Sequence, residues 1–477
     1  PVKATVIVKE GEKVKAGQIL VKIPKDAGKT RDITGGLPRI AELFEARNPS
    51  NPAVISEIDG NIKYGKTKRG VKEIHVMGKS EEKVYKIPYG KHVLVHDRDH
   101  VFAGDRLCEG SCVLEQSKHN TVTIGAVERH ITDTAWRENW VTGPSPKFEH
   151  SESVGIIGGG PAGLAAADRL RAEGYQIDIY DRYDRMGGLL TYGIPNFKLE
   201  KHIVERRTKL LAASGVNFHL NCDVGRDISF ADLLDRHDAI LIATGVYKSR
   251  DLKLPGIKQN GVFPAMDYLR ASNKKGLGDD VPAFDCGDLN ALGKNVVVIG
   301  GGDTAMDCVR TAVRQGAKSV KCLYRRDQKN MPGSRREVGH AQEEGVEFVW
   351  LAEPEAFHGN NGVEAIQFHK MHLGIPDLTG RQKPEPIPGS SVKVRTNMVI
   401  KALGFEPEDI PSLFHDTDLV TTEWGTVKVD ESSKMTTIPG VFAAGDIMRG
   451  ASLVVWAIRD GRDAASGIVK YLKSSNT

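Results

Sequence analysis

Three closely spaced glycines form the first group of residues that could do chemistry. Gly158 ends the apolar run SVGIIG, Gly160 follows it, and Gly163 lies near the start of the helix-like run PAGLAAADRLRAEG. A strand that ends in such a turn lets backbone N–H groups and the positive end of a helix approach a pyrophosphate. Asp181 ends the next strand-like run, YQIDIYD, where a carboxylate can accept hydrogen bonds from a ribose. The pattern predicts a dinucleotide site, and the alternative is a turn whose glycines are purely structural.

A second turn of the same kind lies in the run NVVVIGGGDTAMDCVRTAVRQG, which begins at Asn295. Its predicted cofactor contacts are the turn and the start of the following helix, namely Gly300, Gly302, Asp303, Thr304 and Ala305. The next strand-like run, SVKCLY, is followed by Arg325 and Arg326 rather than by an acidic residue. Because guanidinium groups bind a 2′-phosphate that a carboxylate would repel, the sequence predicts NADPH over NADH. A pair of solvated surface arginines is the alternative interpretation.

Alternating strands and helices must position these turns. After Cys112 the alternation predicts βαβ units with parallel sheets, and therefore an α/β fold. The later runs ATG and IPGVFAAGDIMRGASLVVWAIRDGRDAA, together with the two turns, resemble the two-dinucleotide flavoproteins. That resemblance implies two Rossmann-like domains, with the nicotinamide domain inserted in the FAD domain. The residues it places at the flavin are Thr244, Gly245, Gly445, Asp446 and Ser452.

Three longer motifs resemble the family of small (beta) subunits of NADPH-dependent glutamate synthase. They are DRYDRMGGLLTYGIPNFKLEK, LYRRDQKNMPGSRREV and GASLVVWAIRDGRDAA, and the resemblance runs from about residue 104 to residue 477. It implies that Gly187, Gly188 and Pro195 line the FAD site and that a hydride passes from NADPH to FAD. It also implies a large (alpha) subunit as the partner. Since the cofactors carry this chemistry, no residue is assigned as a catalytic acid or base.

Cys108 and Cys112 lie in a run that resembles the end of that family's iron–sulfur domain. A 4Fe–4S cluster needs four thiolates or close substitutes, and residues 1–107 contain no cysteine. We therefore expect the two cysteines to be remnant ligands without an intact cluster, a cluster shared across subunits being the alternative. Neither dinucleotide domain contains a CxxC or CxxxxC pair, so the sequence predicts no disulfide-reductase reaction.

The first 104 residues have a different character, because short β-branched runs alternate with Gly, Lys and Asp turns. They predict a small β-rich module. The run VIVKEGEKVKAGQIL, residues 6–20, matches VLVHDRDHVFAGDRL, residues 93–107, as in the paired hairpins of barrel-sandwich hybrids. The run that starts KIPKDAGKTRDITGGLPRIAELFEARNPS resembles the C-terminal part of the RNA polymerase beta-prime subunit, over about residues 1–110. We interpret the chain as a chimera, and the alternative function is a transcription module that binds nucleic acid or RNA polymerase.

Composition restricts the class of protein further. The chain has 477 residues, a net charge of +4, and no apolar run near the roughly 20 residues of a membrane helix. Its six scattered cysteines indicate a reducing, cytoplasmic setting. The expected segments are a β-rich module (1–104), an iron–sulfur remnant with a linker (105–150), an FAD domain in two parts (151–285 and 401–477) and an NADPH domain (286–400).

Overall fold

The computed structural model describes residues 124–376 and 382–475 without a break. Between residues 5 and 109 it describes shorter stretches, which are 5–6, 21–22, 54–56, 58, 60–68, 71–78, 82–87, 92–93, 95, 100–101 and 106–109. The chain divides into two compact units, Pro1–Glu138 and Asn139–Thr477. Among the described residues, no helix combines the length and the apolar character needed to cross a membrane.

The described part of the first unit is rich in β-structure, as the sequence predicts. Its strands are β1 (Thr5–Val6), β2 (Val21–Lys22), β3 (Val54–Ile55), β4 (Gly60–Lys68), β5 (Val71–Met77), β6 (Glu82–Ile87), β7 (His92–Val93), β8 (His100–Val101) and β9 (Arg106–Glu109). They form antiparallel sheets in the orders β1-β2, β3-β9-β7 and β6-β5-β4-β8. Ile62, Ile74 and Val76 are buried on one side of the four-stranded sheet. One helix, α1 (Ile124–Arg137), follows in the described residues of this unit.

The internal sequence repeat is visible in the strand pairing. In β1 and β2, Val6 pairs with Val21 in antiparallel register. In β7 and β9, Val93 pairs with Cys108 in the same way, and these are the positions that the repeat aligns with Val6 and Val21. Both copies of the repeat therefore begin and end in a pair of antiparallel strands. The connections between the paired strands lie largely outside the described residues, so the barrel-sandwich shape stays a prediction.

The first sheet of the second unit is parallel throughout, with the order β12-β11-β10-β13-β25. Its strands are β10 (Ser153–Ile157), β11 (Gln176–Tyr180), β12 (Val216–His219), β13 (Ala239–Ile242) and β25 (Val441–Ala443). Along β13, Ala239 and Leu241 join one core and Ile240 and Ile242 join another, as expected for a strand buried on both faces. The helices around it are α2 (Pro161–Glu173), α3 (Leu189–Tyr192), α4 (Lys201–Ala213), α5 (Phe230–Arg236), α10 (Ile410–Phe414), α11 (Asp446–Arg449) and α12 (Val454–Ser475).

Helix α2 begins and ends at signals that can be read from the sequence. Pro161 is the first helical residue, where a missing N–H group costs no hydrogen bond. Gly174 ends the helix with φ +103°, a left-handed conformation that glycine adopts without strain. The Gly174 N–H donates to Arg171 O and the Tyr175 N–H donates to Leu170 O, which completes the last turn. The helix is thus fixed at both ends against the glycine-rich turn that precedes it.

The second sheet is also parallel, with the order β15-β23-β16-β17-β18. Its strands are β15 (Val262–Pro264), β16 (Asn295–Ile299), β17 (Ser319–Tyr324), β18 (Glu347–Trp350) and β23 (Met398–Lys401). Its helices are α6 (Ala265–Gly276), α7 (Pro282–Asp285), α8 (Asp303–Arg314) and α9 (Arg335–Glu343). An antiparallel sheet packs on its other face through Phe357, Ile366 and Phe368. The strands of that sheet are β19 (Ala352–His358), β20 (Ala365–Pro376), β21 (Gln382–Pro386) and β22 (Val392–Arg395).

The second sheet is inserted in the sequence of the first, as predicted. Strand β25 pairs with β13, although the whole second sheet lies between them in the sequence. The two crossovers run side by side as an antiparallel ribbon of β14 (Lys248–Ser249) and β24 (Phe405–Glu406). Because β15 pairs with β23, the chain enters the second sheet near residue 262 rather than at the expected boundary of 286. It leaves this sheet after β23, close to the expected residue 401.

Candidate functional site

The first glycine-rich turn lies at the carboxyl end of β10, the central strand of its sheet. Gly158 has φ +108°, and a Cβ atom there would lie within 3.0 Å of the Ala243 carbonyl oxygen. A Cβ atom on Gly163 would overlap the Gly158 oxygen in the same way. By contrast, a Cβ atom on Gly160 would meet no described atom within 4 Å. The three glycines therefore make the turn, pack the helix on the strand and leave an open approach to the helix N-terminus.

This open side faces a cleft with about 950 Å³ of space free of protein atoms, part of it open to solvent. The cleft brings together seven residues that the sequence places at the FAD, namely Gly158, Gly160, Asp181, Thr244, Gly245, Asp446 and Ser452. Residues that are far apart in the sequence thus line one surface at the carboxyl edge of the sheet.

Asp181 is buried at the end of β11 and is bound to the turn. Its Oδ2 accepts the Gly159 N–H at 2.7 Å, and its Oδ1 accepts the Tyr183 N–H at 2.8 Å. Burial raises the pKa of this carboxyl above its ordinary value, although the two backbone donors act in the opposite direction. Each oxygen keeps a second lone pair for a further donor, such as a ribose hydroxyl. Asp181 therefore holds the turn and can bind a ligand at once.

Two further groups in the cleft fit a bound FAD. The Thr244 hydroxyl oxygen is buried and has no hydrogen-bond partner among the described residues. Because such a group is costly unless it is paired, its place in the cleft wall fits a polar ligand atom. Asp446 accepts a hydrogen bond from Ser452 Oγ at 2.9 Å, and burial raises the pKa of this carboxyl. Asp446 and Ser452 lie beside the first turn of α12, and the leading N–H groups of this helix have no partner within it.

Three residues implied by the family resemblance are split between two places. The Gly187 N–H donates to Gly159 O at 2.7 Å, so this pair packs behind the first turn. A Cβ atom on Gly188 would lie 3.0 Å from Gly160 Cα, and Gly188 has φ +53°. Pro195 instead lines a separate pocket of about 550 Å³ beside α6 and α8. Gly187 and Gly188 therefore support the turn from behind, whereas Pro195 faces the second sheet.

The second glycine-rich turn has the same construction at the carboxyl end of β16. A Cβ atom on Gly300 would lie within 3.0 Å of Ala402 O, whereas one on Gly302 would meet no described atom within 4 Å. Ala305 is fully buried in the core of this domain. Asp303, which begins α8, accepts the Ser334 N–H at 3.0 Å, and Thr304 follows it in the same turn. This turn too leaves the helix N-terminus open to a phosphate.

Arg325 and Arg326 follow the next strand, as they would beside the ribose of a bound dinucleotide. The Arg325 side chain is 54% exposed, and its nearest carboxylate oxygen, on Glu353, lies 3.8 Å away. The Nε of Arg326 is buried and has no hydrogen-bond partner among the described residues. Donors that are left unpaired in this position fit a 2′-phosphate, which accepts several charge-assisted hydrogen bonds. The residues at this turn therefore fit NADPH.

Two residues that line the cleft beside the first glycine-rich turn are not predicted by any sequence motif. Arg182 lines the cleft and forms a two-point ion pair with Glu408, with Nη1 and Oε1 3.0 Å apart. Its guanidinium carbon also lies 5.5 Å from the centre of the Tyr247 ring. Burial by itself lowers the pKa of Arg182, but the nearby carboxylates of Glu408 and Asp223 outweigh it and raise the pKa above its ordinary value. Arg182 follows Asp181 and Tyr247 follows the ATG run, so adjacency to a predicted motif was the available signal.

The cysteine predictions fall partly outside the described residues. Cys108 lies in β9, but only its backbone is described, and Cys112 lies outside the described residues. Among the residues that are described, no cluster of three or more His, Cys, Asp or Glu side chains could hold a metal ion. The cysteines described in the second unit, Cys222, Cys286, Cys308 and Cys322, are free thiols. Burial raises the pKa of Cys322 to about 12, so this thiol is held in its protonated form.

Solved structures share the fold of the second unit. FprA from Mycobacterium tuberculosis, solved in complex with NADPH, superposes with a TM-score of 0.58 at 18% identity. The match covers 69% of this chain and 86% of FprA. The thioredoxin reductase of Lactococcus lactis superposes with a TM-score of 0.52 at 21% identity, over 68% of this chain and all of that one. At these identities the likeness concerns the fold alone.

Sequence comparison gives closer matches. The glutamate synthase [NADPH] small chain of Azospirillum brasilense is 63% identical over 370 residues, which are 78% of this chain and 77% of that one. The protein of the same name from Escherichia coli (strain K12) is 45% identical, over 77% of this chain and 79% of that one. The model of the pyridine nucleotide-disulphide oxidoreductases matches residues 152–461. The chain therefore belongs to the pyridine nucleotide-disulphide oxidoreductase family, among the relatives of the glutamate synthase small chains.

Proposed function

We propose that this chain is an FAD-dependent oxidoreductase that takes a hydride from NADPH. The observation that carries the proposal is the pair of open glycine-rich turns at the carboxyl ends of two parallel sheets in one compact unit. FAD, when it is bound, accepts the hydride and passes electrons on, so the protein has to bind and orient the two cofactors. None of the proposed residues has to act as a general acid or base.

The flavin cleft is built to bind a pyrophosphate and a ribose. The backbone around Gly160 is bare on the cleft side, and the N-terminus of α2 points its positive end there. Asp181 accepts ribose hydroxyl donors, and the unpaired Thr244 hydroxyl supplies a further hydrogen bond. Together these groups hold one end of FAD without any charged residue on the turn itself.

The opposite wall of the cleft presents a helix end and apolar side chains. Leu453 and Val454 line the cleft and are each 38% exposed. Apolar groups in this position exclude water from a planar ring system that lies against them. The leading N–H groups of α12 favour negative charge beside them. This wall therefore binds the ring system and stabilises its anionic, reduced form.

At the second turn, Gly302 and the start of α8 bind the pyrophosphate of NADPH. Arg325 and Arg326 bind its 2′-phosphate and so select it over NADH. Each charge-assisted hydrogen bond of this kind contributes about 1.5–3 kcal/mol. Replacing either arginine by alanine is therefore expected to raise the KM for NADPH roughly ten- to hundredfold and to leave the KM for NADH nearly unchanged. Arg395→Ala, on the outer strand β22, is the matched control.

The partner follows from the relatives rather than from the geometry. We propose that the chain corresponds to the NADPH-oxidising part of an electron-input subunit for a large glutamate synthase subunit, in keeping with the name of the relatives it resembles. Cys108 and Cys112 are too few for a 4Fe–4S cluster, which needs four ligands. We therefore expect the chain to reduce an artificial dye with NADPH but not to support glutamate synthesis. Synthesis by a mixture with the large subunit would overturn this second part.

A separate origin for the front of the chain is our second proposal. Its support is the sequence resemblance of about residues 1–110 to the RNA polymerase beta-prime subunit, in a region that precedes the matched family model. Such a chimera would make the β-rich module incidental to the flavoprotein. One sequencing read across the codons for residues 80–130 tests it, and two separate reading frames in the source DNA would identify a joining artefact.

The spectrum of the purified protein tests the main proposal most directly. We expect a yellow protein with flavin absorbance that is bleached by NADPH in the absence of oxygen, faster than by NADH. Iron analysis of the same sample reports any cluster. A colourless protein that does not bind FAD on reconstitution would contradict the proposal.

A further inference from the structure

One segment of the flavin domain touches both cofactor sites. This bridging segment, Asp184–Lys201, begins directly behind the first glycine-rich turn, where the Gly187 N–H donates to Gly159 O. Leu189 and Leu190 line the flavin cleft. The buried Lys201 donates through Nζ to the carbonyl oxygens of Leu190 and Ile194, which fixes the segment from below. One side of the bridging segment is therefore part of the flavin site.

Its other side binds the helix that carries the second glycine-rich turn. Lys198 Nζ lies 2.8 Å from Asp307 Oδ1 on α8 and 3.3 Å from Glu337 Oε2 on α9. Asp307 is buried and lies one turn after Asp303, the first residue of α8. Burial alone would lower the pKa of Lys198, but the two carboxylates raise it above its ordinary value. The lysine is therefore charged at neutral pH and held between two helices of the nicotinamide domain.

The neighbouring residue adds a second contact to the same helix. The Phe197 ring lies 4.8 Å from the Arg310 guanidinium carbon and 4.3 Å from that of Arg314. Both arginines are on α8, and Arg310 also binds Glu337 at 2.7 Å. Glu337 is thus shared by Lys198 and Arg310, and Arg310 also pairs with Glu344 at 2.8 Å. Such a network fixes the side chains more firmly than one exposed pair would.

Two more contacts between the domains lie along the same segment. Arg185 makes a two-point ion pair with Asp279, at 2.8 and 2.6 Å. Asn273, which is buried on α6, donates through Nδ2 to Tyr192 O at 2.9 Å. The bridging segment is therefore attached to the nicotinamide domain at its start, its middle and its end.

We propose that Lys198 is a positioning residue for the hydride transfer, because it holds α8, and with it the NADPH turn, at a set distance from the flavin cleft. Lys198 contacts neither dinucleotide turn itself, so it acts through Asp307 and Glu337. Hydride transfer requires the two reacting atoms to lie about 3–3.5 Å apart, and a displacement of 1 Å costs on the order of a hundredfold in rate. This inference rests on the proposed function.

The test is Lys198→Met in the full-length, flavin-loaded protein. In rapid-mixing experiments we expect the limiting rate of flavin bleaching at saturating NADPH to fall roughly ten- to hundredfold. The NADPH concentration that gives half of this rate should change little, because Arg325, Arg326 and Gly302 are untouched. Small-angle X-ray scattering without NADPH should show a larger radius of gyration for the variant than for the unaltered protein. This second measurement does not depend on activity.

Three further variants separate positioning from a loss of folding. Lys198→Met combined with Asp307→Asn removes the unpaired buried charge, and it should remain slow while regaining stability. Lys198→Arg should restore most of the rate, since it can reach the same carboxylates. Lys209→Met removes an exposed ion pair with Glu205 on α4, and it should bleach at the unaltered rate.

Each result decides the inference in one direction. An unaltered limiting rate in folded, yellow Lys198→Met would overturn it, as would a change confined to the half-saturating NADPH concentration. If the unaltered protein binds FAD but is not bleached by NADPH, the proposed function fails instead. The two failures are therefore distinguishable.

Discussion

Gly158 and Gly160 are two residues apart, and the structure gives them different tasks. Gly158→Ala would place a Cβ atom against Ala243 O at φ +108°, so we expect a loss of stability of roughly 1–3 kcal/mol or more. Gly160 has φ −75°, which alanine adopts freely, and its Cβ atom would project into the cleft. We expect Gly160→Ala to keep its unfolding temperature and to bind FAD about tenfold more weakly or worse, because the pyrophosphate needs that space.

Thermal unfolding and the release of fluorescent flavin measure the two effects separately. Gly339→Ala on α9 is a suitable control, since its Cβ atom would meet no described atom within 4 Å and it lies outside the cleft. If Gly160→Ala bound FAD as tightly as the unaltered protein, the pyrophosphate could not lie where we place it.

Residue types and spacing predict which residues belong to a site better than they predict the hydrogen-bond and ion-pair partners of those residues. The sequence alone indicated Asp181 as a ligand, but not that both of its oxygens bind backbone N–H groups. The ion pair of Arg182 with Glu408 joins residues 226 positions apart, and only the folded sheet brings them together. For Pro195 the family resemblance implies a place at the FAD, which stays a prediction, and the structure shows in addition that it lines a pocket beside α6 and α8.

The turn between α11 and α12 depends on an ion pair whose carboxylate is buried. Asp460 on α12 is 1% exposed, and Arg449 binds both of its oxygens, with Nε 2.9 Å from Oδ2. Replacing Arg449 by methionine leaves a buried carboxylate without its partner. Because removal of one member of such a pair costs roughly 3–5 kcal/mol, we expect a marked fall in the unfolding temperature. The flavin should also be released more readily, since this turn carries Asp446 and Ser452.

Arg459→Met is the control, and it lies on α12, the helix that carries Asp460. Arg459 pairs with Asp463 at 3.7 Å, and both side chains are about half exposed or more. Exposed pairs of this kind contribute about 0–1 kcal/mol. Thermal unfolding measures the stability of both variants. Equal losses in Arg449→Met and Arg459→Met would show that the burial of Asp460 has no special role.

At the level of elements, hydrophobic runs and turn residues predict the two parallel sheets, but not their edges. The runs before Gly158 and Gly300 are β-branched and end in glycine, so both central strands are evident. Strand β15 has the sequence VFP, which is short and contains proline, and only its pairing with β23 makes it a strand. The expected domain boundary, at residue 286, therefore lies after this strand. The antiparallel cover of the second sheet carries no motif of its own.

The whole molecule contains one unit that includes both cofactor sites. All residues that line the flavin cleft lie between 157 and 457, within the unit Asn139–Thr477. A fragment of residues 139–477 should therefore keep its flavin and reduce a dye with NADPH within about twofold of the full chain, as expected for a domain with its own core. Flavin content and dye reduction of the purified fragment measure this.

A shorter fragment that begins at residue 152 is the matched comparison. It lacks Glu149, which pairs with Arg171, and His150, whose ring stacks on Tyr175 at 4.5 Å. It also lacks the hydrogen bond from the His150 N–H to Gly174 O, so it should unfold at a lower temperature. A colourless 139–477 fragment would mean that residues before 139 are needed for the flavin.

The antiparallel ribbon of β14 and β24 has a mechanical consequence. Both connections between the sheets pass through it, with Lys248 beside Glu406 and Ser249 beside Phe405. Because each of these strands is only two residues long, we expect the nicotinamide domain to rotate about the ribbon more readily than it moves away from the FAD domain. The bridging segment, through Lys198 and Arg185, would then limit this rotation of the nicotinamide domain. Release of oxidised NADP⁺ would require only a rotation of that domain about the ribbon.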